Sequence, residues 1–403
     1  MESVAEKWKH SILYLGFIYS ILFLLHSLIF QKLLLGYETV RIKRNPDLPL
    51  RFRSDGTFKI LQVADMHFAN GANTRCRDVL DSELNHCSDL NTTLFFKRMV
   101  DAESPDFIAF TGDNIFGSST TDAAESLFRA FGPVIQYQIP WAAILGNHDQ
   151  ESTMTREELM SLISLMDYSV SQTNPPVNYS PSTGSQMIRN IDGFGNYDIN
   201  IYGAPGSHLA NSTVLNLYFL DSGDRAIVQG ARTYGWIKES QLQWLRDVSQ
   251  RYQDLFPSTD ALPQRKPPAL TFFHIPIPEV RTLYYTKIIG QFQEDVACSS
   301  VNSGVLQNLI AMGNVKAVFM GHDHANDFCG NLDGIWFCYG GGFGYHGYGR
   351  PGWPRRGRVI VAELGKGQKS WMGVERIRTW KRLDDEKLTK IDEQILWESK
   401  QSQ

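Results

Sequence analysis

The sequence predicts an α/β protein whose functional site lies at the carboxyl ends of its strands. Two observations carry this. Strand and helix signals alternate from residue 57 to about 165, the strands as short apolar runs of the kind buried on both faces. Five such runs along the chain end abruptly in side chains that bind metals. Ligands at the carboxyl ends of neighbouring strands converge on one edge of a sheet, where open α/β folds place their sites.

Residues 11–30 contain no Asp, Glu, Lys or Arg and follow Lys7 and Lys9. About 20 apolar residues suffice to cross a bilayer. Every face is apolar, which argues against a buried amphipathic helix. No small-x-small cleavage pattern follows, which favours an uncleaved signal anchor over a cleaved signal peptide within residues 1–36. Lys32, Arg41, Lys43 and Arg44 lie on the far side, so charge leaves the orientation open. Residues 37–54, polar and Pro-containing, read as a stalk.

The first run, residues 60–64, ends in Asp65-Met66-His67. The loop after it, 68–91, is rich in Asn, Asp, Gly and Cys and is expected to shape access to a site. Residues 107–112 end in Asp113-Asn114, and 141–146 in Asn147-His148-Asp149. Residues 167–212, with Pro175-Pro176 and scattered Gly, Ser and Asn, read as an insertion of short hairpins. Residues 214–220 form a strand before Asp221, and a helix is expected to begin over 235–245, with Trp236, Leu242 and Leu245 toward one face. A Pro-rich linker, 256–268, precedes the fourth run, 269–273, which ends in His274. The fifth, 315–321, ends in His322-Asp323-His324. Residues 340–349 are a Gly-rich aromatic loop, and the charged tail 381–403 reads as helical.

Two Asp, one Asn and four His suit two adjacent divalent or trivalent metals. Singly, Asp65 or Asp113 is as readily a turn or cap residue, and the His322/His324 pair an exposed turn. Five strand-end ligands in series are not a coincidence. Asp113 is the expected bridge, because a carboxylate holds two cations more readily than an imidazole does. The formal charge of −4, with both signs interspersed, provides no basic patch and argues against nucleic acid as an obligate partner. Asn91, Asn178 and Asn211 each begin an N-glycosylation triplet, which together with the apolar N-terminus favours a lumenal or extracellular catalytic domain, secreted or membrane-anchored. Of five cysteines, either Cys76/Cys87 or Cys329/Cys338 can pair, which leaves at least one free thiol, with Cys298 the foremost candidate; five reduced cysteines is the alternative.

The series DxH, GDN, GNHD, isolated His and GHDH resembles the calcineurin-like metallophosphoesterase superfamily. In order and length it resembles the plant purple-acid-phosphatase-related proteins, in particular their divergent "probable inactive" subgroup. The resemblance implies a four-layer sandwich of two mainly parallel or mixed sheets flanked by helices, over residues 55–380. It implies Asp65, His67 and His324 at one metal and Asn147, His274 and His322 at the other, with Asp113 between them. The metals are Fe, Mn or Zn. The activity implied is acid-phosphatase-like: a metal-activated hydroxide attacks a small phosphate ester or a phosphoprotein. The resemblance makes His148 the candidate general acid for the leaving alkoxide, with Asp149 expected as its orienting carboxylate. Asn114, Glu279, Tyr345 and His346 are weaker candidates for substrate contact. The same metals serve diesters and pyrophosphates. A different class, a catalytically weak secretory protein that retains the fold, is motivated by Phe116, which stands where purple acid phosphatases carry a metal-binding Tyr. The complete ligand set weighs against it. The first motif also departs, being DxH rather than DxG. Phe116 supplies no phenolate, so this departure predicts a colourless protein that works with divalent metals such as Mn, Zn or Fe(II), or with iron lacking the visible charge-transfer band.

Overall fold

Each strand-like run owes its conformation to residues apolar on both faces, and the computed structural model shows where those faces are buried. It describes residues 4–27, 43–175, 190–255, 266–367 and 370–399. Two units separate at Arg44. The first holds helix α1 (Val4–Leu25), in which Trp8–Leu25 is long and apolar enough to cross a membrane and contains no buried residue. Residues 28–30 of the expected span lie outside the described residues.

The second unit contains two mixed sheets. In the first, β1 (Thr57–Val63), β2 (Phe107–Thr111) and β3 (Trp141–Ile144) run parallel. They are joined through α2 (Asp89–Glu103) and α3 (Ala123–Tyr137). Both helices begin where the sequence offers a cap: Ser88 and Asn91 form a capping box, and Asp122 accepts from the Glu125 N–H at 2.9 Å. On the far side of β1 the sheet continues antiparallel through β13 (Arg356–Lys366), β14 (Trp371–Leu383) and β15 (Lys390–Glu398). The second sheet has the order β4-β5-β8-β10-β12-β11-β9. Its centre, β5 (Thr213–Phe219), β8 (Ala269–Phe272), β10 (Val315–Met320) and β12 (Ile335–Tyr339), is parallel. The edge strands are β4 (Tyr197–Tyr202), and β11 (Cys329–Leu332) with β9 (Ile288–Ile289). Helices α4 (Arg156–Leu165), α5 (Glu239–Leu255) and α6 (Val305–Met312) complete the flanking layers. A separate two-stranded ribbon, β6 (Arg225–Val228) and β7 (Ala231–Tyr234), lies outside both sheets.

The sheets meet through interleaved rings. Phe219, Phe272 and Phe319 stack across β5, β8 and β10 at 4.8 and 5.4 Å, and Phe107 of the first sheet meets Phe219 at 6.4 Å. The Tyr197 hydroxyl donates across the interface to the Ala143 carbonyl at 2.6 Å. One apolar core thus spans both sheets, and the carboxyl ends of β1, β2, β3, β8 and β10 share one edge of it.

Several sequence expectations need correction. The charged tail is not helical: it forms the end of β14 and all of β15. Its charges are met by other segments, as in Arg382–Glu103 at 2.6 Å and the fully buried Lys381 between Asp327 (2.8 Å) and Asp392 (2.7 Å). Charge density therefore did not mean a solvated tail. The stalk ends earlier than residue 54, because Leu50 and Phe52 are buried and bracket Tyr202 with backbone hydrogen bonds of 2.8 and 2.9 Å. The 167–212 segment contributes β4 to the second sheet, while Asn178 and residues 256–265 of the expected linker lie outside the described residues. Helix α5 begins at Glu239, after Trp236. Both cysteine pairs, Cys76–Cys87 and Cys329–Cys338, are disulfides, and Cys298 is a buried free thiol.

Candidate metal centre

The strands deliver the ligands through backbone that the sequence has made tight. After β1 and β2 the two chains stay paired: Asp65 N–H donates to Gly112 O (3.2 Å) and His67 N–H to Asp113 O (2.8 Å). Asp65, His67, Asp113 and His322 all hold positive φ, at 57°, 46°, 49° and 81°. Such non-glycine conformations cost about 1–3 kcal/mol each and cluster at functional sites. The glycines of the GDN and GNHD motifs have a direct reason. A Cβ on Gly146 would lie 2.1 Å from Asp113 Oδ1, and one on Gly112 (φ 91°) 2.5 Å from His274 Nδ1.

Two groups of buried ligands result, Asp65/His67/His324 and Asp113/His274/His322, each with its ligand atoms within 4.8 Å of one another. His67 Nε2 and His324 Nε2 face each other at 2.9 Å. That is about the spacing of two nitrogens each ~2.1 Å from one cation. A single oxygen of Asp113 faces both groups: Oδ2 lies 3.2 Å from His274 Nε2 and 3.5 Å from His67 Nε2. The other oxygen accepts the His148 N–H at 2.8 Å. Asp113 would therefore bridge two cations through one shared oxygen, rather than one oxygen for each side.

Neighbours fix the imidazoles with their lone pairs inward. His274 Nδ1–H donates to Thr111 O (2.9 Å) and His324 Nδ1–H to Tyr348 O (2.8 Å), the usual way a ligating histidine is oriented. The Asp65 carboxylate accepts the His322 N–H at 2.9 and 3.1 Å. His67 Nδ1, His274 Nε2, His322 Nε2 and Asn147 Oδ1 are buried without a hydrogen-bond partner. Leaving such atoms unpaired costs about 1–3 kcal/mol each, and cations are what this donor set fits. Burial pushes the His67 and His322 imidazoles well below their usual range, which keeps them neutral and able to ligate. Burial opposes charge on Asp113 and His274 as well, but their mutual attraction prevails. Asp113 is held well below the usual carboxylate range, and His274 is pushed up to about 9.

His148 sits beside this cluster, its side chain 25% exposed and its ring 4.7 Å from that of Phe116. Its orienting carboxylate is not Asp149. Asp149 is fully buried and accepts the Gly146 N–H (2.7 Å) and the Ile115 N–H (3.0 Å), so it braces the turn beneath the ligands. The partner of His148 Nδ1 is Glu151 Oε2 at 2.8 Å. Asn114 is likewise internal: its amide donates to Ile144 O at 2.9 Å. Glu279 Oε1 accepts from Asn302 at 2.9 Å, and the Tyr345 hydroxyl donates to Asp384 at 2.6 Å, so both are engaged with partners outside the metal cluster. His346 meets Phe116 edge-on at 5.4 Å, and Phe116 in turn meets His67 at 5.2 Å, so His346 lines an aromatic wall of the site. The Tyr348 ring stacks on His324 at 3.8 Å, but its hydroxyl is held by Glu294 at 3.0 Å. Sequence reasoning missed Glu151, although it lies only three residues after His148, and also Arg225, whose Nη1 pairs with Glu151 (2.7 Å), and Tyr234, whose ring meets His322 at 4.4 Å; these two carried no local signal.

Buried carboxylates and imidazoles, grouped in two at the strand ends of a double-sheet sandwich, define a metallophosphoesterase. Residues 58–326 match the calcineurin-like phosphoesterase family, and the chain belongs to it. It is 66% identical over 398 residues, 98% of each chain, to "Probable inactive purple acid phosphatase 28" of Arabidopsis thaliana. It is 52% identical to "Probable inactive purple acid phosphatase 29" of the same plant, over 86% of this chain and 88% of the relative. A dimetal phosphatase from Danio rerio shares the fold, with a TM-score of 0.50 at 15% identity, over 85% of this chain and 99% of that one.

Proposed function

We propose that the protein is a binuclear metal-dependent phosphoesterase, acid-phosphatase-like, acting on small phosphate esters or phosphoproteins. The observation that carries this is the pair of buried Asp/His groups, in which His274 Nε2, His322 Nε2 and the neighbouring Asn147 Oδ1 have no hydrogen-bond partner. An abandoned site has no physical reason to keep four strained or unpaired ligands, whatever the relatives are named. Two divalent cations held there acidify water and polarise the phosphoryl oxygens. The chain's own part is to place His148 beside them. Glu151 holds Nδ1, so that Nε2 is the end that gives a proton to the leaving oxygen. Phe116 adds no oxygen ligand, and the phenols of Tyr345 and Tyr348 are bound to Asp384 and Glu294.

The expected result is hydrolysis of a generic aryl phosphate that a chelator abolishes and added Mn or Zn restores, from a colourless preparation. No turnover above the chelated control refutes the hydrolase reading. A strong visible iron–tyrosinate band refutes the divalent one.

We also propose a secretory location with a lumenal or extracellular catalytic domain. Helix α1 and the two disulfides support it. Among the described acceptor positions Asn211 is exposed, whereas Asn91 is tied into the cap of α2 and Thr92 is buried. Protein from its native host is therefore expected to shift in mobility on glycosidase treatment, and Asn211→Gln to remove most of that shift. An unglycosylated native chain counts against secretion.

A further inference from the structure

The β6–β7 ribbon belongs to neither sheet, and its tip is exposed, with Ile227 at 74%. Its base, however, reaches the site from two directions. Arg225 and Tyr234 are cross-strand partners there. The Tyr234 ring meets His322 edge-on at 4.4 Å. Arg225 turns toward His148: Nη1 donates to Asn147 O (2.8 Å) and pairs with Glu151 Oε1 (2.7 Å). Its Nη2 lies 3.4 Å from both ring nitrogens of His148. Equal distances of that size put the guanidinium over the face of the imidazole, since an in-plane approach between the nitrogens would collide with the ring carbon. Arg225, Glu151 and His148 therefore form one closed unit. Glu151 takes Nδ1 in the ring plane with one oxygen and Arg225 with the other, while Arg225 covers the ring face and is anchored to the backbone of Asn147.

We propose that Arg225 is the positioning residue of His148, and that the ribbon exists to deliver it; this rests on the reading that His148 protonates the leaving group. A histidine on a loop, held by a single hydrogen bond to a carboxylate that is itself 22% exposed, has freedom to rotate about χ1 and χ2. The planar fork of Arg225 removes that freedom by holding the carboxylate and the ring together, which a lysine, a point charge, cannot do. In the step served, the leaving oxygen keeps the electron pair of the breaking P–O bond and takes the Nε2 proton. Nδ1–H stays on Glu151 throughout, and water later returns a proton to Nε2. A structural role alone predicts little change in any of the readouts that follow, because ion pairs this exposed scarcely affect stability.

The test uses the full-length, metal-loaded protein and two readouts. In alkyl phosphate hydrolysis, Arg225→Ala is expected to lower kcat about ten- to a hundredfold with KM and metal content unchanged. The loss on an aryl phosphate with a good leaving group is expected to be several-fold smaller. Arg225→Lys does not restore the rate, and added guanidinium restores part of it in Arg225→Ala. In the nitrogen-labelled protein, the His148 Nδ1–H resonance exchanges slowly with solvent in the wild type and is lost in Arg225→Ala. Equal losses on both substrates, full activity in Arg225→Lys, or a protected Nδ1–H in Arg225→Ala overturns the proposal. If the wild type turns over neither substrate, the hydrolase reading fails, and the exchange of that proton alone decides the role of Arg225.

Discussion

Asp113→Ala is expected to empty both metal positions and to reduce phosphoesterase activity by about 10³-fold or more, the loss that several kcal/mol of transition-state stabilisation represents. Asp113 Oδ2 faces His274 at 3.2 Å and His67 at 3.5 Å, so it belongs to both ligand groups. Without it each cation loses an anionic ligand, and the two lose the negative charge that offsets their mutual repulsion at the ~3.5–4 Å typical of such pairs. The effect extends to the acid: Asp113 Oδ1 also holds the His148 N–H at 2.8 Å, so the loop bearing Asn147 and His148 loosens at the same time. Asp113→Asn keeps that hydrogen bond and the volume but not the charge, and is expected to retain the fold while binding metal weakly. Elemental analysis that still finds two metals per chain in Asp113→Ala would remove the bridge from the account.

The second large effect is at His148. Its replacement by alanine leaves every proposed metal ligand in place, so metal content stays at the wild-type level. What is lost is the proton given to the leaving oxygen, worth about 10²–10⁴-fold where that oxygen is a poor leaving group. Alkyl phosphates need the proton; phenolates with electron-withdrawing groups scarcely do. His148→Ala is therefore expected to cost about 10²-fold or more on alkyl esters and much less on activated aryl esters. Glu151→Gln should show the same selectivity with a smaller magnitude, because the ring stays present but less firmly held at Nδ1. Equal losses on both substrate classes, at unchanged metal content, exclude His148 as the acid.

The contrast between Asp149 and Glu151 shows where sequence reasoning stops. Both are carboxylates within three residues of His148, and adjacency favoured Asp149. The fold instead directs the Gly146 and Ile115 N–H groups at Asp149, leaving it fully buried and occupied, and turns the chain so that Glu151 meets the ring. Arg225 was less accessible still, 77 residues away in a ribbon with no motif of its own. The tail misled for a related reason: Lys381 and Arg382 read as charges of a helix in sequence, yet Asp327 and Glu103, from distant segments, pair with them in a sheet.

What the sequence determined by itself was the set of candidate metal-binding groups and the edge on which they gather. A ligand's chemistry resides in its residue type, and a buried strand declares itself by apolar composition, so a strand that ends in Asp, Asn or His encodes both chemistry and place locally. The motif glycines belong to the same local record, since the close approaches of Gly112 and Gly146 admit no Cβ. Only the tertiary structure decided which oxygen of Asp113 faces both groups, which carboxylate holds His148, and that a ribbon outside both sheets brings Arg225 over the ring. Those are choices among chemically equivalent partners, and they depend on which backbone donors and which distant charges the packed chain sets within about 3 Å of each group.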